Sequence, residues 1–254
     1  QGMESVTSWI GSGVPRFYLP LDQIFPQSNV SQLILLPTNL AERDRLMQQL
    51  PTMLAQEFPE VRARVKLLPS GPYPVQFRVM GQDPKLLREL ANEVRAKLEA
   101  SPDMRGVNDN WNEAIKVLRL EVDQSKARAL GVSNQDIAQA TRTQLSGNTI
   151  GQYREGDKLI DMVLRQPVDE RKAVTDVGNA YVASSSGRAI PLSQIAKPTF
   201  VWEPGILWRQ GREYSITVQG DVVAGLQGPT VTQKVWPDLQ KLQEGWAAKG
   251  LNLY

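Results

Sequence analysis

The sequence contains no cysteine and no histidine. Without cysteine there is no disulfide framework and no thiolate nucleophile. Without histidine the commonest general base and metal ligand is missing. Also missing is any run of eighteen apolar residues, so no stretch reads as a membrane-spanning helix. The opening Gln1-Gly2-Met3-Glu4 lacks a basic region followed by an apolar core and does not read as a signal peptide. Neither charge dominates: 29 basic against 27 acidic side chains leave a net +2. That balance carries no signature of a nucleic-acid or membrane-surface binder. What remains, 254 residues with 41% hydrophobic and 22% charged, suffices for two or three small domains with cores of their own.

Residues 118–132, LRLEVDQSKARALGV, mark a change of texture. Leu118, Leu120 and Val122 alternate as in a strand, Asp123 opens a short helical turn ending at Gly131, and Ser133 with Asp136 forms a capping box for a second helix reaching Leu145. Before this junction the chain mixes strands and helices. Glu4–Ile10 reads as a strand, and Arg16–Asn29 as a loop rich in large apolar residues, which must pack on or bind something. Val30–Leu36 and Val61–Leu67 read as strands. Between them Ala41–Phe58 has helical spacing, with Pro51 expected to kink it. Val75–Gly81 is predicted as a strand. Asp83 and Pro84 then open an amphipathic helix to Ala100, and Val107–Trp111 is a strand.

After the junction two hairpins are predicted, Thr149–Arg154 with Lys158–Arg165 and Ala180–Ser184 with Ala189–Leu192, then a strand at Pro198–Trp202. The mixed texture returns with strand Tyr214–Gly220, helix Thr230–Trp246 and strand Leu251–Tyr254. Removing the β-rich insertion joins 75–111 to 214–254 as one βαβ-βαβ unit, with both helices on one sheet face. Residues 4–67 repeat that unit without its first strand and helix. The predicted fold is therefore α+β: two ferredoxin-like βαβ modules, the first incomplete, the second carrying an inserted β-rich subdomain. Its boundaries fall at 1–70, 71–117, 118–209 and 210–254. With its opening strand missing, the first module is expected to be completed by a second copy or to rearrange locally.

The wording of several segments, in this order, resembles the C-terminal periplasmic half of resistance-nodulation-division (RND) efflux pumps. They are GSGVPRFYLPL at 11–21, FRVMGQDPKLLRELANEVRAKLEASPDMRGV at 77–107, VDQSKARALGVSNQDIAQA at 122–140, LSGNTIGQYREGDKLIDMVLR at 145–165 and GRAIPLSQIA at 187–196. The resemblance implies two porter modules, a docking subdomain inserted in the second, and membrane helices outside this stretch. It further implies a proton-driven exporter of drugs or other amphiphiles in a Gram-negative inner membrane. Such an exporter is a homotrimer working with a periplasmic adaptor (membrane fusion) protein and an outer-membrane channel.

By the same resemblance Thr7, Trp9, Ser12, Val14 and Ile34 line a deep substrate pocket, with Phe17 and Tyr18 beside it. Large aromatic faces suit broad substrate choice because they demand little polar geometry. Thr7 and Ser12 depart from the denser phenylalanine set of multidrug members. Arg64, Lys66, Leu68, Pro69, Asn108 and Asn110 would border an outer pocket in the cleft between the modules. On residue pattern alone, Arg64 and Lys66 read as the solvated side of a strand. The hairpin tip Tyr153, Arg154, Glu155, Gly156, Asp157 and Lys158 would meet the partner proteins, anchored by Ile150, Leu159, Ile160 and Val163.

Other patterns point to no chemistry. The six methionines are scattered, Asp83, Glu89 and Glu93 lie around a solvated helix face, and 220–228 is glycine-rich without the Lys-Ser/Thr of a P-loop. The tryptophans are expected mostly in cores. The expectation is no catalytic residue, no metal and no cofactor: a binding and conduit module, not an enzyme. The alternatives are a protein-export or heavy-metal branch of the same superfamily and, further off, an RNA-binding module of ferredoxin-like fold, for which strand 75–81 offers only Phe77 and Arg78.

Overall fold

Antiparallel pairing of β1 (Met3–Ile10) with β2 (Ser31–Pro37) opens the computed structural model, which describes residues 2–19, 21, 23–68, 71–168 and 177–247. Helix α1 (Leu40–Glu57) follows, capped by the Asn39 side chain, which accepts from the Glu42 N–H. It continues through Pro51 and buries no residue fully. Next come β3 (Val75–Gly81), α2 (Pro84–Glu99), β4 (Met104–Asp109) and β5 (Ala114–Val122). Then α3 (Gln124–Ala129), α4 (Asn134–Leu145) and the β6 (Asn148–Glu155)–β7 (Lys158–Leu164) hairpin. The chain continues through β8 (Tyr181–Ala183), β9 (Ala189–Pro191), β10 (Ala196–Pro204), β11 (Arg209–Gln210), β12 (Glu213–Val222) and α5 (Gly228–Ala247).

These elements form two compact units, one made of 1–115 and 204–254, the other of 116–203. In the first, β12 is the central strand of an antiparallel sheet, pairing with β3 on one side and β4 on the other. The sequence pattern anticipates this sheet. Its fourth predicted strand, Leu251–Tyr254, lies outside the described residues. Helix α2 forms because Asp83 caps it, its carboxylate accepting from the Lys85 and Leu86 N–H groups, and because Pro84 at the first turn gives up no hydrogen bond. Its buried stripe, Leu87, Leu90, Ala91, Val94 and Leu98, meets Val79, Ile216 and Val218 of the sheet and Val231, Val235 and Leu239 of α5. Each large side chain buried this way contributes roughly 1.5–3 kcal/mol.

Trp111 is fully buried in this core. Its indole N–H donates to the Ser215 carbonyl at 2.8 Å, and its backbone N–H donates to Asp109 at 3.0 Å. Asp109, itself buried, is charge-balanced by Arg88 at 2.6 Å. Trp246 is buried too, but Trp202 and Trp236 are exposed and Trp9 and Trp208 half-buried. The tryptophans therefore do not mostly occupy cores: the exposed ones sit on β10 and on α5, outside the clusters the helices cover.

In the second unit β5 pairs with β10, and Leu192, Ile195, Val182 and Ile137 centre a separate core. The capping box closes reciprocally: the Asp136 N–H donates to the Ser133 hydroxyl and the Ser133 N–H to the Asp136 carboxylate. The hydroxyl and backbone of Ser133 hold that carboxyl below its usual range. The backbone and ammonium of Lys126 act likewise on Asp123, the cap of α3.

Two further expectations fail. Among the described residues, 61–67 form no strand. Their side chains Arg62 and Arg64 reach the acidic partners Glu113 and Asp221. The hairpin residues Ile150, Leu159, Ile160 and Val163 are not anchors either. All four are exposed: among the described residues β6 and β7 form a two-stranded sheet with no third strand to cover them.

Candidate functional site

Loop 11–29 is closed at its base by backbone bonds, Gly11 N–H to Val30 O at 2.8 Å and Gln27 N–H to Gly11 O at 3.0 Å. Gly11 adopts φ +78°, a left-handed turn that favours glycine. Val14 and Leu21 are buried, and the Val14 N–H donates to the Gln32 side chain at 2.9 Å. Toward the tip, Phe17 is 60% exposed and its ring lies 5.3 Å from that of the half-buried Tyr18. Thr7 and Ile34 are direct cross-strand partners on β1 and β2, and Trp9 pairs with Gln32. Of the expected pocket set, β1, β2 and the loop thus bring Thr7, Trp9, Ile34, Ser12 and Val14 into one hairpin, with the exposed Phe17 and half-buried Tyr18 further along its loop.

The second group lies around the polar face of the β3–β12–β4 sheet. Strand alternation puts Val79, Ile216 and Val218 toward the helices and Gln76, Arg78, Thr217, Gln219 and Asn108 on the opposite face. Gln219 is the cross-strand partner of both Gln76 and Asn108, and its amide donates to the Asn108 side chain at 3.2 Å. Asn110 extends the sheet beyond β4: its backbone N–H donates to Thr217 O at 3.0 Å and its side-chain oxygen accepts from Thr217 N–H at 2.8 Å. Asn108 is only 3% exposed, so both asparagines are built into the sheet as much as displayed on it.

Arg64 borders this group. Its guanidinium meets Asp221 through two bonds of 2.7 and 2.6 Å and lies 3.7 Å from the centre of the Tyr73 ring. A bidentate, stacked arginine is a rigid wall, and Asp221 neutralises its charge. Lys66 is half-buried and Leu68 exposed, while Pro69 lies outside the described residues. Arg62, two residues earlier, binds Glu113 at 2.9 and 3.2 Å. Burial alone would lower the Arg62 pKa, but the bond and charge of Glu113 raise it, and Arg62 in turn holds Glu113 below the usual carboxylate range. Tyr73, Asp221, Thr217, Gln219, Glu113 and Arg62 are the members that sequence reading passed over. Strand alternation opposite Asn108 is the one signal that could have found Thr217 and Gln219.

The arrangement offers amide and hydroxyl hydrogen-bonding groups, a neutralised arginine wall and, separately, exposed aromatic faces. It suits reversible binding of compounds with apolar bodies and few polar groups.

In the second unit the hairpin tip stands clear. Glu155 pairs with Lys158 across a two-residue turn in which Gly156 takes φ +62°, and Tyr153 is 58% exposed opposite Ile160. A separate open cavity of about 820 Å³ lies between α4 and β8, bordered by Gln139, Gln144, Asn179 and Tyr181.

The sequence model of the AcrB/AcrD/AcrF family matches residues 43–247. The cobalt-zinc-cadmium resistance protein CzcA of Cupriavidus metallidurans is 26% identical over 153 residues, covering 58% of this chain and 14% of that protein. The multidrug export protein AcrF of Escherichia coli is 31% identical over 119 residues, covering 47% of this chain and 12% of that protein. The chain thus spans only about a seventh of the length of these relatives. A crystal structure of a heavy metal efflux pump shares the fold with a TM-score of 0.67 at 18% identity, over 83% of this chain and 23% of that one.

Proposed function

Because this chain belongs to the AcrB/AcrD/AcrF family of RND transporters, we propose that it is the periplasmic porter and docking region of an inner-membrane exporter of amphiphilic compounds. In this reading 1–70 and the discontinuous 71–117 and 210–254 are porter modules of ferredoxin-like type, and 118–209 is the docking subdomain. Loop 11–29 and the polar sheet face with Arg64 contact substrate. The hairpin around Gly156 contacts an adaptor protein or an outer-membrane channel in a trimeric assembly. The region holds and passes on its cargo without making or breaking covalent bonds. Coupling to protons belongs to charged groups within membrane helices, and no helix among the described residues is long and apolar enough to be one.

The observation that carries the amphiphile reading over a metal-ion reading is the exposed Phe17 ring, packed on Tyr18, together with a separate sheet face on which Gln76, Asn108, Thr217 and Gln219 offer neutral polar groups. Soft ligands in the chain are limited to six scattered methionines, with no cysteine or histidine. The test is made in the intact transporter, expressed in an efflux-deficient bacterium. Expression is expected to protect against amphiphilic dyes and detergents and not against cobalt, zinc or cadmium. F17A/Y18A is expected to reduce protection by several-fold with the hairpin contacts intact, and Y153A/R154A to reduce cross-linking to the channel or adaptor. Protection against the cations alone would overturn the reading.

A further inference from the structure

The turn between β4 and β5 carries an asparagine in a conformation that few residues adopt. Asn112 has φ +57°, a left-handed position tolerated by asparagine and glycine. Its side chain is used at both ends. The Arg62 guanidinium can only donate, so the Asn112 oxygen must face it, and does so at 2.9 Å. The amide nitrogen is thereby turned to the Gln27 side-chain oxygen at 3.2 Å. Glu113 repeats the pattern one residue on: its carboxylate takes Arg62 and its backbone carbonyl accepts from the Asn29 side chain at 3.0 Å.

Two separate segments therefore converge on two consecutive residues. One is the base of loop 11–29, through Gln27 and Asn29; the other is segment 61–68, through Arg62. Gln27 is the pivot on the loop side. Its backbone N–H closes the loop base on Gly11 while its side chain takes Asn112. Phe25, two residues before, meets the edge-on ring of Trp208 at 5.4 Å, and the Trp208 indole donates to the carbonyl of Asn110. The loop base, the arginine segment and the end of β4 are thus joined through one turn.

We propose that the Asn112-Glu113 turn is the positioning element of the substrate-facing loop: it sets the posture of loop 11–29 and couples it to segment 61–68 through Arg62. Asn112 is specified twice, by its backbone, which glycine could also supply, and by a carboxamide that donates to one segment while accepting from the other. Aspartate cannot donate to Gln27, and glycine can do neither. The consequence for export rests on the substrate-facing reading above, but the anchoring itself does not.

Asn112→Gly is the decisive variant because it keeps the left-handed backbone and removes both side-chain bonds. Hydrogen exchange on the 254-residue chain is expected to quicken about fivefold, the loss of one ordinary hydrogen bond, at the Gly11, Gly13 and Gln27 amides. Amides of Leu90 and Val94 in α2 should stay at wild-type protection. Gln27→Ala, which breaks the same bond from the loop side, should give the same pattern. Wild-type exchange at the three loop amides in both Asn112→Gly and Gln27→Ala would overturn the proposal. In the intact transporter, Asn112→Gly is expected to raise the KM for export of a fluorescent amphiphile such as ethidium. A loosened loop with an unchanged KM would leave the anchoring standing and count against the loop as a substrate surface.

Discussion

At the scale of the residue, Glu113 shows how a surface-near carboxylate becomes a stability switch. Its side chain is 60% exposed, yet the hydrogen bond from Arg62 holds its pKa below the usual range against the opposing effect of burial. A carboxylate depressed in the folded state binds protons more weakly there than in the unfolded chain. Its stabilising contribution is complete above the unfolded value of about 4.3 and is lost as pH falls through the lower folded value. Wild type is therefore expected to exceed Glu113→Gln in stability at neutral pH and to converge on it in acid, measured by urea unfolding across pH. A pH-independent difference would show that the ion pair is not the cause. Partnerships of this kind were the least legible part of the chain. The family resemblance singles out Arg64 and Asn108, but Arg64 finds Asp221 and Arg62 finds Glu113 only after distant segments fold together. The positive φ of Asn112 has no signature in its neighbours.

At the scale of the element, helices announced themselves where local chemistry sets their ends. The Asp83-Pro84 start of α2 and the Ser133–Asp136 box of α4 lie where composition places them. Segment 61–67 misled because the alternation of Val61, Ala63, Val65 and Leu67 is a side-chain pattern and does not supply a partner strand. Close approaches are equally silent in sequence. Gly228 opens α5 against the entry of β3, and a Cβ there would stand 2.4 Å from the Pro74 carbonyl oxygen. Backbone cannot yield as a side chain tip can. Gly228→Ala is expected to cost about 1–3 kcal/mol. Gly245→Ala in the same helix meets nothing within 4 Å and should be neutral or stabilising by up to about 1 kcal/mol. Equal effects from the two in chemical denaturation would mean that helix propensity, not contact, governs both.

At the scale of the whole molecule, the βα patterns on either side of a β-rich stretch made the pairing of β3 and β4 with the distant β12 legible. The exposure of the β6–β7 ribbon was not, since alternating apolar residues read alike whether their cover is in the same chain or elsewhere. The paired strands β5 and β10, through which the chain enters and leaves the second unit, carry a kinetic consequence. The sheet of the first unit must bring β12 against β3 and β4 across the whole of 116–203. In an open chain that closure is slow, since its entropy must be lost before any contact rewards it. If the second unit folds first, zipping β5 to β10 delivers the two halves of the first sheet as neighbours and shortens the search to a few residues. The inserted unit then acts as a splint in the order of folding. Leu192→Ala, which empties part of its core, should delay protection of the Ile216 and Val218 amides in pulse-labelled refolding. An undiminished rate would mean that the first unit assembles across an unfolded insertion.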